Sequence, residues 1–342
     1  MDQIGERKNE HLDICLEKNV DFSSLRGNGF DSYEFQYDAL PEINKNSISL
    51  ETEFLGKKLS APLMIGSMTG GTQKAQTINE RLARASEKCQ IPMALGSQRK
   101  MLEDPSVRAT YCVKEKAPNL PLLFGNIGAV QLNYGLEVSH IHKLIEEVEA
   151  DAFYFHLNPL QESIQPEGDT DFSHLLSKLK ELIPQIKVPV FIKEVGAGIS
   201  EVTAKKIKTL GVFGVETGGR GGTSWAYIES QRSKSEIKKK VGELFSQWGL
   251  STAESIQICH KILNDKIVIA SGGIRNGIEV AKALVLGASL VAIAHPFLIA
   301  AEKSTDCVVE EIERMKEELK TLMFVVGAKN IKELKKKKLC KK

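Results

Sequence analysis

A histidine, two amides and a carboxylate fall within seven residues in HLNPLQE, from His156 to Glu162, directly behind the apolar run DAFYF. A histidine and a carboxylate can exchange protons, amides donate and accept hydrogen bonds, and a carboxylate such as Glu162 also offers a hard oxygen to a cation. A second concentration is basic: Arg7 and Lys8 in RKNEHL, and Arg99 in GSQR. On sequence alone RKNEHL reads as a solvated arm. The third concentration is glycine. SGGIRNGIEVAKAL places Gly272 and Gly273 between an apolar run and a helix-like segment, the usual phosphate grip. No Gly-x-x-x-x-Gly-Lys-[Ser/Thr] occurs, so a nucleoside-triphosphate loop is not expected. The phosphate of flavin mononucleotide (FMN) fits better. Lys193 then lies near the flavin's pyrimidine edge, or else pairs structurally with Glu194 or Glu216.

These groups need a scaffold that brings distant residues together. Eight short apolar runs recur, at 61–66, 91–96, 120–126, 151–157, 188–194, 211–216, 266–272 and 289–294. They lack strict alternation, as parallel strands buried on both faces do. Amphipathic segments such as TINERLARASEKC and GIEVAKALVLG separate them. The pattern predicts an α/β fold of the (β/α)8 TIM-barrel class; a doubly wound sheet competes, but the eighth run gives a natural closure. Active sites of such barrels sit where the strands end, and apart from Arg7 and Lys8 in the arm each polar cluster above follows a strand or lies just beyond one.

One domain over 1–342 is expected, with an N-terminal arm at 1–50, the barrel at 51–305, and a C-terminal helix and basic tail at 306–342. Residues 217–250 form a long connection after strand six, of the kind that serves as a lid or binding loop. The tail KELKKKKLCKK reads as a solvated helix end that frays. With 46 basic against 44 acidic residues, the net charge of +2 gives no reason to expect nucleic acid as partner. The six cysteines are scattered without a Cys-x-x-Cys pair, which argues against zinc or a disulfide scaffold. No apolar stretch approaches the ~18 residues of a membrane span, and no signal segment is evident. A cytoplasmic location follows by default.

The segments RKNEHL, ALPEIN, TEFLGKKLSAPLMIGSMTGG, GSQR, HLNPLQE, PEGD, KEVGAGIS, GGTSW and ASGGIRNG, in this order over about residues 7–330, resemble the type 2, FMN-dependent isopentenyl-diphosphate isomerases. The resemblance implies interconversion of isopentenyl and dimethylallyl diphosphate using reduced FMN and Mg2+ without net redox change, NADPH as reductant, and a homotetramer or homo-octamer. By position it assigns FMN to Ser67, Met68, Thr69, Ser97, Asn126, Lys193, Thr223, Gly273, Arg275, Ala294 and His295. It assigns the substrate to Arg7, Lys8, Ser97, Gln98, Arg99, Asn158 and Gln161. Glu162 falls to Mg2+, and His156 and Gln161 are the candidate catalytic side chains. Because a glutamine is a poor acid and a metal-bound glutamate is occupied, the expectation is that the flavin exchanges the proton while Gln161 orients or relays. Two departures stand out. Ala197 replaces a cysteine common in the family, and Arg220 replaces a small residue, leaving open whether it reshapes the loop or faces solvent.

Two rivals are weighed against this. An FMN-dependent 2-hydroxy-acid oxidase shares the ETGGRGG pattern but needs a histidine base where this chain has Thr217. A flavin- or phosphate-binding sensor leaves Glu162, Arg99 and the arm without a joint purpose.

Overall fold

In a computed structural model describing residues 3–17 and 27–342, eight parallel strands close into one barrel. They are β1 (Leu63–Ile65), β2 (Met93–Ala94), β3 (Leu123–Gly128), β4 (Ala152–Leu157), β5 (Val190–Glu194), β6 (Gly214–Glu216), β7 (Ile267–Ala270) and β8 (Leu290–Ile293). β8 pairs with β1 through Val291–Leu63, which is the closure. All eight lie within the runs expected from sequence, apart from β3, which extends to Gly128. Residues 1, 2 and 18–26 of the expected arm lie outside the described residues.

The two-residue period of a strand sets what faces inward. Met64, Phe124, Tyr154 and Phe191 point into the barrel and fill its lower half together with Phe54 and Leu59. The rings of Phe124 and Tyr154 lie 5.0 Å apart, and those of Phe124 and Phe191 5.5 Å. Phe54 and Leu59 come from a hairpin, Thr52–Phe54 with Lys57–Leu59, that plugs the N-terminal end. Each such side chain contributes roughly 1.5–3 kcal/mol by leaving water. Two residues further along, the inward positions turn polar: Asn126 above Phe124, His156 above Tyr154, Lys193 above Phe191, and Glu216 two beyond Gly214. His156 and Lys193 are register partners, as are Lys193 and Glu216. A filled apolar floor therefore supports a polar layer at the strands' C-terminal ends.

Three segments outside the strand–helix alternation take definite shapes. Residues Gln3–Glu17 form helix α1, with Leu12 and Cys15 buried in the outer core. The connection after β6 carries two helices, α2 (Trp225–Arg232) and α3 (Glu236–Leu244), each with a serine N-cap. The basic tail does not fray. Leu339–Lys341 pairs antiparallel with Tyr33–Phe35, and Lys342 Nζ lies 2.6 Å from Glu34. Buried Leu334 anchors its base, so apolar positions among the lysines outweigh their solvation. Among the described residues no helix is long and apolar enough to cross a membrane.

Candidate active site

One cavity opens at the C-terminal ends of the strands, and α1 leans over it. Its wall includes Ser67, Met68 and Thr69 after β1, Ser97 after β2, Asn126 on β3, Lys193 on β5, Thr223 after β6, Gly273 and Arg275 after β7, and Ala294 and His295 after β8. Arg7, Lys8, Arg99, His156, Asn158, Gln161 and Glu162 line the same cavity. Gln98 is the exception. It is fully buried, and its amide donates to the Leu144 carbonyl at 3.1 Å and accepts from the Asn126 N–H at 2.9 Å. It braces the turn after β2 against β3 instead of facing the cavity; it stands at the N-cap of the short helix Arg99–Glu103, and its side chain is taken up by these two main-chain groups.

The polar floor has a fixed hydrogen-bond order. Asn126 Nδ2 donates to the Leu95 carbonyl at 3.1 Å, leaving its Oδ1 to the His156 Nδ1 at 2.9 Å. The imidazole is thus the Nδ1–H tautomer. Burial, with the charges of Lys193 and Lys8, drives its pKa down to about 3, so His156 is neutral and no proton donor near neutral pH. Lys193 donates to the Glu216 carboxylate and, at 3.1 Å, to the Glu194 carbonyl. It makes the structural ion pair and lines the cavity at once. Glu194 turns away and accepts from the N–H groups of Val195, Gly196, Ala197 and Gly198 at 2.5–3.0 Å, shaping the loop after β5.

The phosphate grip differs in detail from the sequence expectation. In the helix after β7, Gly277–Val285, Gly277 N donates to Glu318 at 2.8 Å and Glu279 N to the Asn276 side chain at 2.9 Å, while Arg275 N, just before the helix, donates to Glu279 at 2.7 Å. What this loop presents to the cavity is the Gly272–Gly273 turn and Arg275. Gly273 sits at φ +68°, and a Cβ there would meet the Gly221 carbonyl oxygen at 2.0 Å. Only glycine allows this turn. Asn28 Nδ2 supports it from outside by donating to the Gly273 carbonyl at 2.8 Å. Arg220 neither covers the cavity nor points to water; its Nε donates to the Gly249 carbonyl and its Nη1 to the Gly27 carbonyl, both at 3.1 Å. Ser67 Oγ is buried without a partner, as expected of a wall atom that awaits a polar ligand.

The cationic side is built from α1 and the segment after β2. Lys8 Nζ donates to the Ser97 carbonyl at 2.9 Å and the Tyr111 hydroxyl at 2.6 Å. Burial, then the charge of Arg7, lowers its pKa to about 7. Arg99 bonds Glu103 through Nε at 2.9 Å and Asp169 through Nη1. Glu162 sits opposite on the short helix Pro159–Ile164, accepting from Asn158 Nδ2 and the Asp169 N–H, each at 2.8 Å. Burial raises its pKa. Among the described residues no group of three histidine, cysteine or carboxylate ligands that could hold a metal exists, so a cation beside Glu162 would take fewer than three such ligands. That fits Mg2+, which takes one or two carboxylates and completes its shell with water and substrate phosphates.

Several residues in or beside the cavity were not legible from sequence. Glu229, on α2, is fully buried; it accepts from Gln161 Nε2 at 3.0 Å, lies 2.9 Å from His11 Nε2, and accepts from Arg232 at 2.6 Å. Burial works against its ionised form, but these partners hold its pKa well below the usual carboxylate range. Burial lowers the His11 pKa against the opposing pull of Glu229, and Arg232 supplies Glu229 with a counter-charge. Trp225 packs edge-on to His11 with centroids 5.1 Å apart. One signal was available: Arg7, Lys8, His11 and Cys15 share a helical face, as do Trp225 and Glu229.

The sequence profile of the FMN-dependent dehydrogenases matches residues 10–110 and 157–341. An isopentenyl-diphosphate delta-isomerase from Synechococcus sp. is 45% identical over 321 residues, covering 94% of this chain and 92% of that protein. One from Rickettsia bellii is 46% identical over 333 residues, covering 97% and 96%. Among solved structures, a lactate oxidase from Pediococcus acidilactici matches with a TM-score of 0.70 at 16% identity, covering 99% and 92%. A flavocytochrome b2 matches with a TM-score of 0.69 at 19% identity, covering 96% and 82%. At that identity the oxidases share the fold alone.

Proposed function

This chain belongs to the isopentenyl-diphosphate delta-isomerases, on the barrel of the FMN-dependent dehydrogenases, and we propose that its cavity holds FMN, Mg2+ and the substrate diphosphate together. The reaction is the interconversion of isopentenyl and dimethylallyl diphosphate. The observation that carries the residue assignments is the convergence of Arg7, Lys8 and Arg99 with the carboxylate of Glu162 in one cavity. Beside them, the strand ends supply the Gly272–Gly273 turn and the unpartnered Ser67 hydroxyl.

In this reading Ser67, Met68, Thr69, Asn126, Thr223, Gly273, Arg275, Ala294 and His295 hold FMN, with Lys193 at its pyrimidine edge. Arg7, Lys8, Ser97 and Arg99 hold the diphosphate, and Glu162 gives Mg2+ its protein ligand. When bound and reduced, FMN supplies an electron-rich face and a site for proton exchange with the alkene. His156, held neutral, accepts or donates a hydrogen bond but does not protonate carbon. Gln161 is fixed between Asn158 Nδ2, at 3.2 Å from its Oε1, and Glu229, so it aims the hydrocarbon part of the substrate. NADPH as reductant, a homotetrameric or homo-octameric assembly and a cytoplasmic location complete the proposal.

The oxidase reading loses support at Thr217. Its hydroxyl is wholly buried and bridges β6 to the Ser271 main chain, accepting from N–H at 3.1 Å and donating to the carbonyl at 3.2 Å. It cannot take a substrate proton. The test is an anaerobic assay with FMN, Mg2+, NADPH and isopentenyl diphosphate. Dimethylallyl diphosphate is the expected product, and its absence with flavin bound and reduced would overturn the assignment. Substituting 5-deaza-FMN should abolish turnover; full turnover would move the proton chemistry onto the side chains.

A further inference from the structure

Asp169 lies in the loop that follows the helix Pro159–Ile164 and has no part in the scheme above. It is nonetheless tied to both sides of the site. Its carboxylate accepts from Arg99 Nη1 and, at 2.9 Å, from Gln131 Nε2. Its own N–H donates to Glu162 Oε2 at 2.8 Å. The loop lies close against the Glu162 main chain: a Cβ on Gly168 would meet the Glu162 carbonyl oxygen at 1.9 Å. The second carboxylate on Arg99, Glu103, is 42% exposed against 14% for Asp169, so solvent screens it far more.

We propose that Asp169 is a positioning residue that fixes the Arg99 guanidinium for the diphosphate and locks that cation to the Glu162 carboxylate. The anion side and the metal side of the cavity then form one rigid unit. This rests on the isomerase reading for the identity of the ligand. An arginine side chain carries large rotamer freedom, and holding it beforehand removes the need to order it when the anion arrives. The opposing effect is repulsion between Asp169 and the diphosphate. Arg99 and Gln131 both donate to one oxygen, Oδ2, and the Arg99 charge offsets that of the carboxylate, so positioning outweighs repulsion.

The test titrates inorganic pyrophosphate calorimetrically into the FMN-loaded protein, first without and then with Mg2+. Asp169→Ala should weaken pyrophosphate about tenfold in both conditions, and Asp169→Asn, which keeps an acceptor, about threefold, as loss of a charge-assisted bond implies. Mg2+ should tighten pyrophosphate binding less in Asp169→Ala than in the parent protein. Glu103→Gln should stay within about twofold, as an exposed pair implies. With isopentenyl diphosphate, KM should rise while kcat holds. Pyrophosphate binding that is unchanged or tighter in Asp169→Ala would make Asp169 a repulsive counter-charge and overturn the proposal, as would a fall in kcat at constant KM. If Asp169→Ala does not fold, Asp169→Asn decides by the same criteria. Pyrophosphate binding involves no isomerisation, so an inactive parent protein would sink the isomerase reading and leave this result standing.

Discussion

Lys8 is buried against two neutral partners, the Ser97 carbonyl and the Tyr111 hydroxyl, and its pKa of about 7 leaves it half-protonated at neutral pH. A diphosphate placed beside Arg7 and Arg99 reverses that balance, because an adjacent anion favours the ammonium. Binding is therefore coupled to proton uptake at Lys8. At pH 9 the free protein must be protonated against about 2.7 kcal/mol, taking 1.36 kcal/mol per unit over two units, which weakens binding about a hundredfold relative to pH 6. The assay is calorimetric titration of isopentenyl diphosphate into the oxidised-FMN, Mg2+-loaded protein from pH 6 to 9, alongside Lys8→Met. Comparison with the variant cancels the ligand's own titration. The difference in log Kd between the two proteins should fall by about one unit per pH unit above 7, and proton uptake should approach one in buffers of different ionisation enthalpy. A difference that stays constant from pH 7 to 9 would refute the reasoning. The free protein shows the converse. The unfolded lysine keeps its proton up to about 10.5 while the folded one loses it near 7, so stability rises with pH across that window, and Lys8→Met should lack the rise.

His156 gives a second pH signature: with a folded pKa of about 3 against 6.5 unfolded, stability should rise with pH between those values. At pH 5 the penalty is about 2 kcal/mol, so urea titrations at pH 5 and 7 should differ less for His156→Gln than for the parent protein. Gly273→Ala forces a Cβ into the Gly221 carbonyl at φ +68° and should weaken FMN retention about 5- to 150-fold, which is about 1–3 kcal/mol, read from flavin fluorescence after gel filtration. Lys193→Met strands the buried Glu216 charge and should destabilise the protein by about 3–5 kcal/mol in urea; adding Glu216→Gln should recover most of that loss, and a Lys193→Met protein as stable as the parent would contradict the pairing.

The barrel was legible because parallel strands buried on both faces leave unbroken apolar runs, and those runs are local. The rim residues were legible for the same reason: period two above Phe124, Tyr154 and Phe191 sends Asn126, His156 and Lys193 inward. Gln98 misled because a motif marks a neighbourhood, whereas the side on which a residue points depends on its pairing with Asn126. Glu229, Arg232 and Asp169 were hidden for another reason. Their meaning lies in contacts between segments far apart in sequence, such as His11 with Glu229 and Arg99 with Asp169, and nothing local encodes such a meeting. The polar stretch after β6 looked like a loop because its helices are short, and their serine caps were the cue that went unread. The basic tail looked frayed because its strand partner lies in the N-terminal segment.

That tail pairing sets an order of events in the making of the molecule. Tyr33–Phe35 has no strand partner in the barrel, and it finds one only when Leu339–Lys341 arrives. Asp38 likewise donates to the Val325 carbonyl and Ser49 to that of Lys329. Chains emerge N-terminus first, and sequence-distant pairings form late. The strand Tyr33–Phe35, which follows the segment holding Asn28 against the Gly272–Gly273 turn, is therefore unpaired while the barrel strands are already being laid down. A nascent or C-terminally nicked chain can own every strand of the barrel yet lack its finished rim. Flavin retention by chains shortened at residue 338 thus becomes a readout of completeness, with the two-stranded clasp acting as the latch that closes last.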